Sequence, residues 1–151
     1  MRISRVILLL VSLFLVLTAP WGARDAFAIQ EGKTAQGESY VSGGVARGES
    51  ATLDQRRADF SLRVVTAAKK TGSYLADAQV KITDASGNTV IDTKLDGPLL
   101  LVNLKLGRYT VETRFDQQIQ RKTTTIHKGD HHEMLFYFDV VVETLPKGEM
   151  G

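Results

Sequence analysis

Apolar and polar residues alternate along most of the chain from residue 59 onward. A period of two is typical of β-strands with one buried face, because successive side chains of a strand point to opposite sides. The pattern predicts seven short strands, of which 99–104 is so uniformly apolar that both of its faces are expected to be buried. The predicted strands lie within 60–64, 78–82, 89–95, 99–104, 109–115, 119–126 and 134–142.

Turn-forming residues separate the predicted strands. Glycine adopts backbone conformations that other residues avoid, and it recurs between them. These turn glycines are Gly87, Gly97, Gly107 and Gly129. Short strands with turn signals at regular spacing are typical of a β-sandwich. We therefore predict an all-β domain over 59–143, folded as a seven-stranded antiparallel β-sandwich.

The first 28 residues have the layout of a secretory signal peptide. Arg2 and Arg5 give a positive start, and an apolar run of about 12 residues follows. Ala26 and Ala28 then form a small-x-small pattern, which predicts cleavage after Ala28. The alternative is an uncleaved membrane anchor, but a helix that crosses a bilayer needs about 20 apolar residues. The domain is therefore expected to be periplasmic or secreted, and not membrane-spanning after cleavage.

Removal of this leader changes the charge of the chain. The whole chain has 19 Lys and Arg residues against 17 Asp and Glu residues, a net charge of +2. The leader holds three of the basic residues and one of the acidic residues, so the remainder has 16 of each. A neutral domain gives no electrostatic reason to expect a nucleic-acid partner. The absence of cysteine from the sequence excludes thiol nucleophiles and cysteine-ligated zinc.

The two ends of the exported chain are expected to be flexible. The segment 29–58 is rich in Gly, Ser and Gln, which favours a mobile lead-in. Within it, 51–58 is a candidate for a short helix capped by Ser50 or Thr52. The polar segment 144–151 is expected to form a flexible tail.

Part of the predicted sandwich resembles a known family. The residues that carry the resemblance are Ala78, Val80, Ile82, Asp84, Gly87, Leu104, Gly107, Tyr109 and Val111. Their order over 72–113 is similar to that of carboxypeptidase regulatory-like domains, which are transthyretin-like (prealbumin-like) sandwiches. The chain from Tyr40 onward also resembles small exported proteins of Gram-negative bacteria that carry this domain alone. Many relatives place Pro before the glycine of the last turn, whereas Lys105 and Leu106 precede Gly107 here.

The resemblance implies a prealbumin-like or Ig-like sandwich that serves as a binding, folding or scaffold module. It does not imply catalysis. Transthyretin-like hydroxyisourate hydrolases end in Tyr-Arg-Gly-Ser, whereas this chain ends in a different sequence, 147–151. A Ser-His-Asp site also needs a positioned hydroxyl, base and carboxylate, and the chain has no nucleophile-elbow motif that places them. We therefore predict no catalytic residue and no cofactor.

The densest set of potential metal ligands lies around the turn before the last predicted strand. The candidates are His127, Asp130, His131 and His132. Two imidazoles and a carboxylate bind Zn²⁺ or Cu²⁺ weakly, whereas a tight site needs three or four converging ligands. His131 and His132 are adjacent, so in a strand they point to opposite faces and only one can pair with His127. The alternative is a solvated polar turn.

The predicted function is a non-catalytic exported binding or interaction module for an unidentified cell-envelope protein or ligand. The threonine-rich segment 119–126 has the profile of an edge strand, which could accept a strand from a partner. Tyr40 and Tyr74 are candidates for exposed aromatic contacts. The alternative function is weak binding of a metal or small ligand at the histidine-rich turn.

The leader prediction has a direct test in the mass of the protein isolated from the cells that produce it. We expect the intact mass of a chain that starts at Ile29, since cleavage is predicted after Ala28. A protein that retains Met1 and stays in the membrane fraction would contradict this prediction.

Overall fold

The structure is a computed structural model that describes residues 29–141. These residues form nine β-strands, one α-helix and, directly after the helix, a single 3-10 turn at Arg57–Asp59. In chain order the elements are β1 (Gln30–Lys33), β2 (Ser39–Gly43), α1 (Glu49–Gln55), β3 (Leu62–Ala68), β4 (Gln79–Asp84), β5 (Thr89–Lys94), β6 (Leu99–Val102), β7 (Gly107–Phe115), β8 (Gln118–Ile126) and β9 (His132–Phe138). No helix within 29–141 has the length and apolar character needed to cross a membrane. The predicted leader, 1–28, and the predicted tail, 144–151, lie outside the described residues.

The nine strands form two sheets in a sandwich-like arrangement. Sheet A has five strands in the order β1-β2-β6-β3-β9, and sheet B has four strands in the order β5-β4-β7-β8. Neighbouring strands run antiparallel with one exception. β3 and β9 are parallel, in a register that begins with Leu62 opposite His132 and ends with Ala68 opposite Phe138. The all-β class predicted from the sequence is confirmed.

Two details of the predicted sandwich are wrong. The described residues form nine strands rather than seven, because the segment 29–58, expected to be a lead-in without strands, supplies the hairpin β1–β2. This hairpin is held by pairing of β2 with β6 and by burial of Val41. The sandwich is also not wholly antiparallel, since β9 runs parallel to β3. Alternation of polar and apolar residues reveals a buried face but not the direction of a strand.

The main hydrophobic core lies between the two sheets. Phe136 and Phe138 of β9 are the largest of its fully buried side chains. All four residues of β6 are buried, as predicted. Leu100 of this strand faces the main core, while Leu99 and Leu101 face a second cluster on the outer side of sheet A. Sheet A is therefore covered on part of both faces.

The short helix α1 supplies that outer cover. It begins two residues before the predicted segment 51–58, and neither Ser50 nor Thr52 caps it. Instead the carboxylate of Glu49 accepts hydrogen bonds from three successive backbone N–H groups of the preceding loop, each at 3.1 Å. A helix of two turns depends on tertiary packing, which the buried side chain of Leu53 provides here.

At Gly97, just before β6, the chain passes very close to the end of β2. A Cβ atom at this position would lie 2.2 Å from the carbonyl oxygen of Gly43. The next residue, Pro98, accepts a hydrogen bond on its carbonyl oxygen from the backbone N–H of Thr66 at 3.0 Å. The predicted turn at Gly97 is therefore also a packing constraint that only glycine satisfies.

We expect Gly97→Ala to lower the free energy of unfolding by about 1–3 kcal/mol, because the added methyl group forces β2 and β6 apart. Chemical denaturation measures this change. Gly87→Asn is the matched control, since position 87 has open space around it and asparagine tolerates a positive φ. This control should cost less than about 1 kcal/mol. Equal losses for both variants would show that the close approach at Gly97 is not a constraint.

Candidate functional site

An open groove runs between β8, one of the two edge strands of sheet B, and β9, one of the two edge strands of sheet A. We call it the β8–β9 groove, and its volume is about 760 Å³. It is lined by Lys122, Thr123, Thr124, His132, Glu133, Met134, Leu135 and Tyr137. The edge position predicted for 119–126 is confirmed, because within 29–141 β8 has a strand partner, β7, on one side only.

Polar side chains of β8 cross this groove to the backbone of β9. Every second residue of β8 faces inward, and three of these residues donate side-chain hydrogen bonds to backbone carbonyl groups. The pairs are Gln118 with Asp139, Gln120 with Tyr137, and Lys122 with Leu135. The ammonium group of Lys122 also lies 4.9 Å from the centre of the Phe136 ring, a cation–π contact. Side chains of the opposite sheet therefore occupy several carbonyl groups at the open edge of β9.

The backbone edge of β8 is arranged differently. β7 and β8 are joined by the two residues Asp116 and Gln117, so Phe115 and Gln118 form the hydrogen-bonded pair that closes the hairpin. Hydrogen-bonded and non-hydrogen-bonded pairs alternate along an antiparallel ladder. The backbone groups of the odd-numbered residues in β8 therefore point away from β7. These residues are Ile119, Arg121, Thr123 and Thr125.

The histidine turn lies at one end of the β8–β9 groove. One oxygen of Asp130, Oδ2, accepts hydrogen bonds from the backbone N–H of His127 at 2.8 Å and from its Nδ1 at 3.0 Å. The same oxygen lies 3.1 Å from Nε2 of His132. The bond from the backbone N–H of His127 is the main reason why the pKa of Asp130 lies below its ordinary value, and the two imidazoles lower it further.

The structure brings together three of the four predicted metal ligands. The fourth, His131, points elsewhere, because its Nδ1 lies 2.8 Å from the backbone carbonyl oxygen of Phe60. Within 29–141, no group of three or more His, Cys, Asp or Glu side chains is arranged to hold a metal ion. Metal binding at His127, Asp130 and His132 stays a prediction. A metal ion bound by Oδ2 of Asp130 or Nε2 of His132 would compete with the contact between these two atoms.

Sequence reasoning missed Thr124, which also belongs to this cluster. Its hydroxyl oxygen lies 2.7 Å from Nδ1 of His132, so a hydroxyl, an imidazole and the Asp130 carboxylate form one hydrogen-bonded chain. The available signal was the period of two in 119–126, which places Thr124 on the inner face together with the buried Ile126. Pairing of β8 with the His132 end of β9 is a tertiary contact that no local pattern contains.

The hydroxyl, the imidazole and the carboxylate follow one another in the order of a nucleophilic triad, but the surroundings of these three groups favour a structural role. A triad acts with N–H donors aimed at the developing oxyanion, one of them often from the nucleophile itself. The ladder register directs the backbone N–H of Thr124 to Tyr109 on β7. The nearby ammonium group of Lys122 is engaged by the carbonyl oxygen of Leu135. The contacts among Thr124, His132 and Asp130 therefore join the histidine turn and β9 to β8.

The two candidate tyrosines differ in exposure. Tyr74 is 55% exposed, as expected for a contact residue. Tyr40 instead packs against the main core, and its ring lies over Gly32, where a Cβ atom would come within 2.6 Å of it. Tyr40 therefore belongs to the β1–β2 hairpin rather than to an exposed contact surface.

Lys105, in the turn before β7, holds a second polar cluster together. Its ammonium group lies 3.8 Å from the buried carboxylate of Glu38 and donates a hydrogen bond to the carbonyl oxygen of Gln36 at 3.3 Å. The carbonyl oxygen of Lys105 accepts a hydrogen bond from the hydroxyl of Tyr109 at 3.0 Å. Burial raises the pKa of Tyr109, and the charges of Glu38 and Asp84 raise it further. Tyr109 is thus a packed residue, and this cluster fastens the β1–β2 hairpin to the turn before β7.

Comparison with known proteins assigns no family to the chain. No protein-family model matches it, and no curated protein sequence matches it significantly. The resemblance of 72–113 to carboxypeptidase regulatory-like domains therefore stays a prediction.

We expect Asp130→Asn to lower the melting temperature at neutral pH, because the amide oxygen is a weaker acceptor than the carboxylate for the groups of His127. A carboxyl group whose pKa is depressed by folding stabilises the fold above its unfolded-state pKa. This stabilisation is lost as the pH falls through the lower, folded-state pKa. The gap between wild type and variant should therefore be full at neutral pH and close in strong acid.

Thermal unfolding at several pH values measures that gap. Asp116→Asn is the control, since Asp116 lies in the turn before β8, whereas the histidine turn follows β8. A gap between wild type and Asp130→Asn that stays constant down to strong acid would contradict the assigned role of the Asp130 carboxylate.

Proposed function

We propose that the chain is a non-catalytic binding module of the cell envelope that takes up an extended segment of a partner protein along β8. The observation that carries the proposal is the set of outward backbone groups at Ile119, Arg121, Thr123 and Thr125, next to an open groove. An unpaired strand edge binds an extended peptide through main-chain hydrogen bonds, while side-chain pockets supply specificity. The cell-envelope location depends on the predicted leader, 1–28.

The two edges that border the groove are suited to different roles. The carbonyl groups of Leu135, Tyr137 and Asp139 on the β9 side already accept hydrogen bonds from side chains of β8. A partner strand would therefore add to β8 and extend sheet B, with its inward side chains in the β8–β9 groove. The groove volume of about 760 Å³ is sufficient for several side chains.

The alternative function, weak metal binding at the histidine turn, has less support. Oδ2 of Asp130 already accepts hydrogen bonds from the backbone N–H and Nδ1 of His127, and it lies next to Nε2 of His132. Nδ1 of His131 instead contacts the backbone carbonyl oxygen of Phe60, away from Asp130. A metal ion would have to compete with all of these contacts, so affinity would be low.

Thr123→Pro tests the proposed strand addition. Proline removes one outward N–H group and clashes with an added strand, but an edge strand tolerates it where the N–H does not pair within the sheet. We expect the variant to fold, with a loss of less than about 1 kcal/mol in the free energy of unfolding, and to lose partner capture in cross-linking from the native cell envelope. Thr123→Ala is the matched control and should capture as wild type does.

Two outcomes would contradict the proposal. The first is equal capture by wild type and Thr123→Pro, which would place any partner elsewhere. The second is loss of capture by Thr123→Ala, which would make the threonine side chain, rather than the backbone edge, the determinant of binding.

A further inference from the structure

Two exposed tyrosines lie in one row on the outer face of sheet A. Ala67 of β3 stands opposite Tyr137 of β9 in the parallel register. On its other side, beyond the end of β6, Ala67 forms an isolated antiparallel bridge with Tyr74. Residues directly opposite each other in a sheet project to the same face. The row Tyr74–Ala67–Tyr137, which we call the tyrosine row, therefore lies on the side away from the main core.

The two rings of the row remain accessible, although both backbones are fixed. Tyr74 is 55% exposed and Tyr137 is 43% exposed, whereas Ala67 between them is 3% exposed. Backbone hydrogen bonds anchor the residues on either side of Tyr74 to β3: Ala68 binds Ser73 at 2.7 Å, and Leu75 binds Thr66 at 3.0 Å. The side-chain amide of Gln120 in β8 donates a hydrogen bond to the backbone carbonyl group of Tyr137. The backbone positions of both tyrosines are thus fixed, which sets the spacing between them.

The spacing of the row suits a linear ligand with a regular repeat. Tyr74 and Tyr137 are two strand spacings apart, which is about 9–10 Å. A β-1,4-linked glycan repeats over two sugar units at a similar length, so every second sugar ring presents the same apolar C–H face to the same side. Ala67 lies between the two tyrosines and is itself covered by its neighbours.

An ion pair beside the row supplies polar groups for sugar hydroxyls. Lys69 follows β3 and Asp139 follows β9, so both continue the outer face by one further row. The ammonium group of Lys69 lies 3.8 Å from the carboxylate of Asp139, and both side chains are largely exposed. The backbone of each is fixed, since the N–H of Lys69 binds the carbonyl group of Phe138 at 2.8 Å and Gln118 binds both backbone groups of Asp139.

We propose that this face binds a β-1,4-linked glycan, with alternate sugar rings stacked on Tyr74 and Tyr137 and hydroxyl groups bound by Lys69 and Asp139. Aromatic faces attract the positively polarised C–H groups of a sugar, as they attract the edges of other rings. A charged pair donates to and accepts from neighbouring hydroxyls at once. The surface lies on sheet A, and Tyr137 also lines the β8–β9 groove. The argument for glycan binding rests on the tyrosine row and not on the proposed strand addition at β8.

The test is a titration of the purified protein with cellohexaose and with chitohexaose, followed by NMR shifts and calorimetry. We expect saturable binding of at least one of them, with shifts centred on Tyr74 and Tyr137. Maltohexaose, whose α-1,4 linkage curves the chain away from a flat face, is the comparison sugar and should bind much more weakly. A preference for chitohexaose over cellohexaose would assign the natural ligand to the acetamido sugars within the same class.

Variants separate stacking from other effects. Tyr74→Ala and Tyr137→Ala should each weaken binding about tenfold, a loss typical of removing one stacking ring. Tyr137→Phe should retain most of the affinity, since it keeps the ring. Ile119→Ala is the control, because Ile119 is similarly exposed at 46% on the outer face of the other sheet. Thr123→Pro should bind glycan as wild type does.

Several results would overturn the proposal. These are no saturable binding of either β-1,4-linked hexasaccharide at millimolar concentration, equal binding of maltohexaose, or unchanged affinity in both tyrosine variants. Analytical ultracentrifugation could give one further result that overturns the proposal. A dimer that Tyr137→Ala converts to a monomer would identify the tyrosine row as a contact between two copies of the chain instead.

Discussion

The parallel pairing of β3 with β9 is the constraint on which the other features of this fold depend. It joins the last strand of the described chain to β3 at one side of sheet A and fixes the register over the whole length of β9. His132 is thereby placed at the end where it meets Thr124, and Tyr137 is placed beside Ala67 at the other end. A shift of one residue would exchange the faces of β9 and turn Tyr137 into the core in place of Phe136.

The same pairing makes β9 an edge, and the fold treats its two neighbouring edges differently. Exposed strand edges attract other strands, and proteins commonly cover them. Here Gln118, Gln120 and Lys122 reach from β8 and occupy carbonyl groups along β9. Burying a polar side chain costs free energy unless the side chain forms a hydrogen bond, and the carbonyl groups of β9 supply the hydrogen-bond partners here. The arrangement covers β9 and leaves the backbone of β8 facing the groove.

The sequence contains most of the information for strand positions and little for their arrangement. The alternation along β7 and the apolar run of β6 identified their strands because each pattern reflects burial of one or both faces. The hairpin β1–β2 escaped detection, since its short strands are rich in Gly and Ser and gain their stability from pairing with β6. Strand direction and sheet order also escaped, because both are set by contacts between residues far apart in the chain.

The candidate site shows the same division. The sequence placed His127, Asp130 and His132 in one turn, and the structure brings them together. It offered no indication that His131 would bind the carbonyl group of Phe60 or that Thr124 would bind His132. Both contacts join the turn to strands reached only through the tertiary fold. Spacing in a sequence identifies which ligands are near one another, whereas convergence of their donor atoms depends on what else competes for them.

The period of two explains how a single strand can support two faces. Inward residues of β9, such as Phe136, are required by the core, and its backbone carbonyl groups are engaged by β8. Among its outward residues, Glu133 pairs with Arg63 and Leu135 packs against the second cluster, whereas position 137 holds a large aromatic side chain that remains 43% exposed. Such a residue adds little to folding, and an exposed apolar surface favours unwanted association. An aromatic residue at a position that folding leaves unconstrained, aligned with a second exposed ring, is therefore better explained by a ligand than by stability.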